Sequence, residues 1–366
     1  MPSIGHRTRR KIPRPVKGTQ WPSNSITYIC GYTQSAFGPH DTDIGGSEQA
    51  VIQLSKCWAS LGFLVVVYGT VKECISDGVE YRDIHRINLQ DTFANAIFWR
   101  SFGIRLLPLV KAKKYIVDLH DSWDPIAYVG KKDLLKIVDI FMVKSNYHRS
   151  LYPYIPDSKI RIVMNGIQMN ICESAYLKWK ESVREPYRLI YASNYERGLE
   201  PILKFAWPRI IKAIPNAELH IYYGFQPNVS HIYMAMMKQL FKLPGVKEHG
   251  RVSLQKIAEE KCKSSIHLYV SNSKTEIDCI SIRESLVCGA VPVIGTDFVF
   301  KERDGVHVSG STSNIQTYRR AGSTVVKLLK NQALLDKVRQ RLYGQTKTIV
   351  SWEEVARKWP FHISRA

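Results

Sequence analysis

Uninterrupted apolar runs alternate with helix-period segments along most of this chain. That alternation restricts the fold more than any other feature. "ITYICGY" (Ile26–Tyr32) and "FLVVVYG" (Phe63–Gly69) are apolar at nearly every position. A strand of that kind is covered on both faces, as in a parallel sheet with helices above and below it. Between them, "GGSEQAVIQLSKCWASLG" places Val51, Leu54, Trp58 and Leu61 at steps of three and four, one face of a helix. "NAIFWR", "KYIVDLHD", "IFMVKS" and "IRIVMNG" continue the rhythm and end one doubly wound unit near Gln168.

The stretch "ICESAYLKWKESVRE" (Ile171–Glu185) is charged and lacks strand character, so the hinge is expected there. A second unit begins at "YRLIYAS" (Tyr187–Ser193) and runs through "AELHIYYG", "KEHG", "IHLYVS" and "AVPVIGT". "LEPILKFAWPRIIKAI" is helical by period, with a kink or break expected at Pro208. "SWEEVARKWPFHI" reads as a helix capped by Ser351, anchored by Trp352 and Trp359 and stopped by Pro360. The length of 366 residues suits two domains better than one core. The expected division is a basic flexible arm over 1–24, a first α/β domain over 25–180, a second over 186–345 and a C-terminal helix over 350–366.

Net charge is +20, from 52 Lys and Arg against 32 Asp and Glu. Such an excess calls for an anionic partner: nucleic acid, an anionic membrane face or a phosphorylated small molecule. No helix-turn-helix, zinc or RNP-like motif accompanies it, so nucleic acid is not expected. "LLPLVKAKKYI" and "GKKDLLKIV" mix lysines with apolar residues, a pattern consistent with peripheral contact with anionic lipid. Seven cysteines, with no C-x-x-C, read as reduced residues of a cytoplasmic protein. No secretory or membrane-spanning run is expected.

Ligands of doubly wound sheets bind beyond the carboxyl ends of the strands, so the loops there hold the candidates. Gly45 and Gly46 precede a helix and allow close backbone approach to a phosphate or sugar. The pair is not a G-x-G-x-x-G fingerprint, which disfavours a nicotinamide enzyme. His120 and Asp121 end a strand and suit contact with hydroxyls or proton handling. Lys144 and Asn165 follow the next two strands and are candidates for the acceptor side, with Asp121. Arg197 opens the second domain's first loop, where a guanidinium grips a diphosphate bidentately.

The stretch "SKTEIDCISIRESLVCGAVPVIGT" poses the sharpest question. Glu276 lies in a loop after a strand. A helix is expected to start near Cys279, turning the free N–H groups of Ile280, Ser281 and Ile282 toward an anion. Glu284 follows one turn further in. Two carboxylates bracketing such a helix start would flank a diphosphate, and a carboxylate suits a cis-diol. Asp41-Thr42-Asp43 spells D-x-D but precedes the glycine loop, so no metal site is expected.

"EIDCISIRE" followed by "SLVCGAVPVIGT" resembles the E-x7-E signature of retaining glycosyltransferases of family 4. The glycine loop, "LHD", "NGI", "SNYERGL" and "SWEEVARKW" resemble that family's segments in order, from Ile26 to Trp359. The resemblance implies a GT-B fold: two Rossmann-like doubly wound domains across a cleft, with the last helix crossing back to the first domain. It implies a UDP- or GDP-sugar donor, a glycan or lipid-linked acceptor, retained anomeric configuration and no required cofactor or metal. By position, Glu284 would bind ribose and Glu276 the donor sugar. Arg197 would take the diphosphate, Gly46 would approach it from the other domain, and His120 would touch the sugar near the reacting centre. The sequence departs from the family at Ser193, where a second cation is usual. Arg251, Lys274 or Arg283 would have to supply it. It departs again at Ile277-Asp278-Cys279, where the family carries an aromatic-Gly pair. An epimerase or phosphorylase on the same architecture, and a basic nucleic-acid-binding protein, are the alternative readings.

Overall fold

A computed structural model describes residues 17–33, 35–41, 44–180 and 184–361. The first sheet has eight strands: β1 (Ser25–Gly31), β2 (Leu64–Gly69), β3 (Cys74–Ser76), β4 (Val79–Asp83), β5 (Thr92–Trp99), β6 (Lys111–Asp118), β7 (Ile140–Val143) and β8 (Ile160–Ile162). Their order is β3-β4-β2-β1-β5-β6-β7-β8, parallel except for the β3–β4 pair. The chain winds outward from β1 and then returns to its other side with β5. The crevice of this sheet therefore opens beyond the carboxyl ends of β1 and β5.

The second sheet has six parallel strands: β9 (Glu185–Ala192), β10 (Glu218–Tyr222), β11 (Val246–Glu248), β12 (Ser264–Tyr269), β13 (Val291–Ile294) and β14 (Val306–His307). Its order is β11-β10-β9-β12-β13-β14, with the reversal between β9 and β12. Both sheets are covered on two faces, which accounts for the fully buried β1 and β12.

Three features differ from the sequence expectations. Helix Met169–Trp179 packs on helix Leu254–Lys263, and its Cys172 and Ala175 join the second domain's core. The first domain therefore ends at the crossing after β8, not at residue 180. The helix containing Pro208 does not break. A π-turn over Ile202–Ala206 widens it just before Pro208, absorbing the missing N–H and the ring's clash with the preceding turn. Of the basic arm, residues 1–16 lie outside the described residues. The following segment is anchored: the Thr19 N–H and the Trp21 indole both donate to Asp91, at 2.8 and 3.0 Å.

The last helix, Trp352–Arg357, carries a complete capping box between Ser351 and Glu354. It lies on the first domain's opening helix, Gly46–Ser60. There the Trp58 indole donates to the Ala356 carbonyl at 3.3 Å, and the rings of Trp58 and Trp359 meet at 5.0 Å. The chain thus crosses between domains twice, and the crossings touch. Ile167 bridges to Ser351, and a Cβ on Gly166 would lie 2.5 Å from the Trp352 nitrogen.

Candidate active site

Helix Ile280–Val287 starts eleven residues beyond the end of β12, after a loop that turns sharply at Cys279. Cys279 has φ +61, a left-handed conformation that favours glycine. Glu276 stabilises the turn by accepting the Cys279 N–H at 3.0 Å. Its other oxygen accepts from Arg197 Nη1 at 2.6 Å and from the Tyr269 hydroxyl at 3.2 Å. Ser193 reaches the same tyrosine hydroxyl at 2.9 Å. Arg197 can approach because Gly198, with φ +100, lets its loop lie against the Val270 carbonyl, where a Cβ would sit at 2.4 Å. The Glu276 charge raises the Arg197 pKa further, so this guanidinium is permanently cationic.

Glu284 lies in the second turn of the same helix and accepts from Lys261 Nζ at 2.6 Å. Lys261 is fully buried and also donates to the Ser281 carbonyl and hydroxyl, at 3.0 and 3.1 Å. Burial by itself would lower its pKa. The Glu284 charge outweighs that and holds it above the ordinary value. The Ser281 hydroxyl donates to the Ala192 carbonyl, tying the helix start to the end of β9. Glu284 faces a narrow slot shared with Gln168, Ile171, Leu254 and Ala258.

The opposite wall comes from the first domain. A Cβ on Gly46 would lie 3.6 Å from Ile280 Cδ1, so the glycine loop faces the helix start across the domain boundary. Asp118, at the end of β6, is a buried hub. It takes hydrogen bonds from the Tyr28 hydroxyl and from Lys144 Nζ at 2.6 Å, and His120 Nδ1 lies 3.0 Å away. Burial works to raise its pKa, but His120 and Lys144 outweigh that and keep it below the usual carboxylate range. The far nitrogen of His120 meets Asn165 Oδ1 at 2.9 Å. Asp121 accepts from Arg100 Nε at 2.9 Å. Arg100 itself sits at φ +52 at the end of β5, beside the crevice.

The candidates thus fall into three groups. Glu276, Arg197 and Ser193 meet in one hydrogen-bonded cluster. Ile280, Ser281, Ile282 and Glu284 share the helix start, and Gly45 and Gly46 head the helix opposite. His120 and Asn165 touch each other. Lys144 does not reach the cleft, because its ammonium is buried on Asp118. Arg251 donates to the Tyr223 carbonyl at 3.1 Å and lies over that ring. Arg283 is not the missing second cation beside Arg197. It is buried on Asp278.

Sequence reasoning did not select Asp118, Lys261, Tyr269 or Asp278. Only the "VDLHD" context pointed toward Asp118. Asp41 accepts from Lys72 at 2.6 Å and from the Gly38 N–H, while Thr42 and Asp43 lie outside the described residues. Among the described residues no group of three His, Cys, Asp or Glu is placed to hold a metal ion. No described helix is long and apolar enough to cross a membrane.

No protein-family model matches the sequence, and a comparison with curated proteins finds no match. Solved structures do match. HepE of Anabaena in complex with UDP and glucose superposes with a TM-score of 0.68 at 11% identity, over 91% of this chain and 97% of that one. Sucrose-phosphate synthase of Thermosynechococcus elongatus gives 0.70 at 12% identity, over 91% and 96%. A glycosyltransferase of Rickettsia africae gives 0.67 at 13% identity, over 93% and 96%. With its two largely parallel α/β sheets facing one another and its doubled crossing, the chain has the GT-B fold.

Proposed function

We propose that the protein is a retaining glycosyltransferase of family 4. It would move a sugar from a nucleotide-diphosphate donor to a hydroxyl of a glycan or lipid-linked acceptor. One observation carries this reading. The two acids Glu276 and Glu284, in E-x7-E spacing, bracket a single helix start, and each is held by a cation, Arg197 on Glu276 and Lys261 on Glu284. UDP and glucose in HepE, which shares the fold, support a UDP-sugar as donor.

On this reading the diphosphate lies at the start of helix Ile280–Val287, where free N–H groups favour an anion. Arg197 is within reach of the same place and shares its guanidinium between Glu276 and the leaving phosphate. Glu284 keeps one carboxylate oxygen for the ribose, the other being taken by Lys261. Glu276 and His120 contact the transferred sugar. As the glycosidic bond breaks, charge grows on the departing phosphate oxygen, and Arg197 and the helix start stabilise it. That oxygen takes the acceptor proton on the face it leaves, so configuration is retained.

The test is a thermal-shift panel over UDP-, GDP- and dTDP-sugars, repeated on Glu284→Ala. Stabilisation by one donor that vanishes in the variant supports the reading. A product anomer inverted relative to the donor sinks the retaining mechanism, and no response to any nucleotide sugar sinks the function.

A further inference from the structure

Asp278 is buried at the seam between the two domains, two residues after Glu276 and just before Cys279. One carboxylate oxygen accepts from Arg283 Nη2 at 2.6 Å and from the backbone N–H of Asn165 at 3.0 Å. The other accepts from Arg303 Nη2 at 2.9 Å, and Arg303 Nε reaches the Asp278 carbonyl. Arg283 also donates to the Asn165 carbonyl at 2.6 Å. Asn165 is thus clasped on both sides of its peptide by the second domain, while its side chain holds His120. All three charged residues are less than a tenth exposed, at 2%, 4% and 7% for Asp278, Arg283 and Arg303.

The same loop is gripped a second time. Ser145 donates to the Ile277 carbonyl and the Tyr147 hydroxyl to the Lys274 carbonyl, both at 2.7 Å. Glu302 in turn accepts the N–H groups of Asn146 and Tyr147. The segment carrying Glu276 is therefore shaped by first-domain contacts on both flanks. A continuous chain of polar contacts runs Asp118–His120–Asn165–Asp278, from the heart of one domain into the other.

We propose that Asp278 is a positioning residue. It fixes the two domains in the orientation that brings His120 and Glu276 to one cleft, acting through Asn165, Arg283 and Arg303 rather than by touching substrate. A buried ion-pair triad of this kind is poor at adding stability but good at selecting one geometry, because every misalignment strands a buried charge. For the roles of His120 and Glu276 the inference rests on the proposed function. For the domain orientation it stands alone.

Two readouts on the full chain test it. Spin labels placed through unnatural amino acids at the exposed positions Leu109 and Ile232 report the distance between domains by pulsed EPR. The native chain should give one narrow distribution, and Asp278→Asn a broadened or shifted one. Sugar transfer by Asp278→Asn should lose about a hundredfold in kcat, as expected for misplacement by about 1 Å, while UDP affinity by calorimetry stays within about threefold. If Asp278→Asn does not fold, Arg303→Met, which leaves Arg283 on the carboxylate, takes its place in both readouts. An unchanged distance distribution overturns the inference. So does a loss of UDP affinity equal to the loss in kcat. If the native chain transfers no sugar at all, the proposed function fails, and the distance measurement still decides the role of Asp278.

Discussion

Lys261 and Glu284 form an ion pair 2.6 Å long whose cation is wholly enclosed and whose anion faces a narrow slot. The cation comes from the end of one helix and the anion from the second turn of another. The pair therefore presents a carboxylate already oriented and already neutralised on its inner side. Lys261→Met should leave that carboxylate without its partner and cost about 3–5 kcal/mol of stability, the range for breaking a buried pair. Donor affinity should fall with it. A melting temperature indistinguishable from the native one would show that the pair is not formed in solution.

Arg197→Ala should act differently. Glu276 would keep the Tyr269 hydroxyl and the Cys279 N–H, so the loop survives. The loss should appear in the transition state, as about 2–4 kcal/mol in the barrier, comparable with removing one oxyanion donor. Steady-state kinetics with donor and acceptor both varied would check it. Activity within about threefold of native would remove Arg197 from the mechanism.

Cys279 provides a test of backbone strain. Its φ of +61 costs a non-glycine residue on the order of 1–2 kcal/mol. Cys279→Gly loses a small buried side chain but relieves that cost, whereas Cys279→Ala loses packing and keeps the strain. Chemical denaturation should therefore rank the glycine variant at least as stable as the alanine one, against the usual order. An alanine variant clearly more stable than the glycine variant would contradict the left-handed turn.

His148 ties stability to pH. It is fully buried, accepting the Lys144 N–H at 3.1 Å on one nitrogen and meeting the Asp121 carbonyl at 3.1 Å with the other. Burial lowers its pKa to about 3 from an ordinary 6.5. Below pH ~6.5 the unfolded chain binds a proton that the folded chain refuses, so stability falls as pH falls. The contribution is complete above that value and disappears progressively toward pH 3. His148→Asn keeps an acceptor for Lys144 and should flatten the dependence of melting temperature on pH across that window. An unaltered slope would place the acid sensitivity elsewhere.

Much of the fold was legible because it repeats. Runs such as "FLVVVYG" and "AVPVIG" are apolar at every position, and only a strand covered on both faces explains them. The spacing of Glu276 and Glu284 about a helix start was equally local. What escaped was pairwise and distant. Lys261 reads as one lysine in a charged helix until the fold brings Glu284 against it. Asp278 sits in a motif position the family resemblance marked only as a departure, and its two arginines come from other elements. Asp77-Gly78, both at positive φ, makes the tight turn joining β3 to β4, and its D-G signal was open to reading. The π-turn before Pro208 was not, because a proline predicts disruption without saying how the chain absorbs it.

The two interdomain connections run side by side, with Ile167 against Ser351 and Gly166 pressed on Trp352. Paired in this way they brace one another. Sliding one sheet past the other would tear the Ile167–Ser351 bridge and the Trp58–Trp359 contact together, and swinging them apart would strip Asn165 from Asp278 and Ser145 from the Ile277 carbonyl. The spacing of the two walls is therefore set by the fold itself, and whatever enters between the sheets meets them already in place.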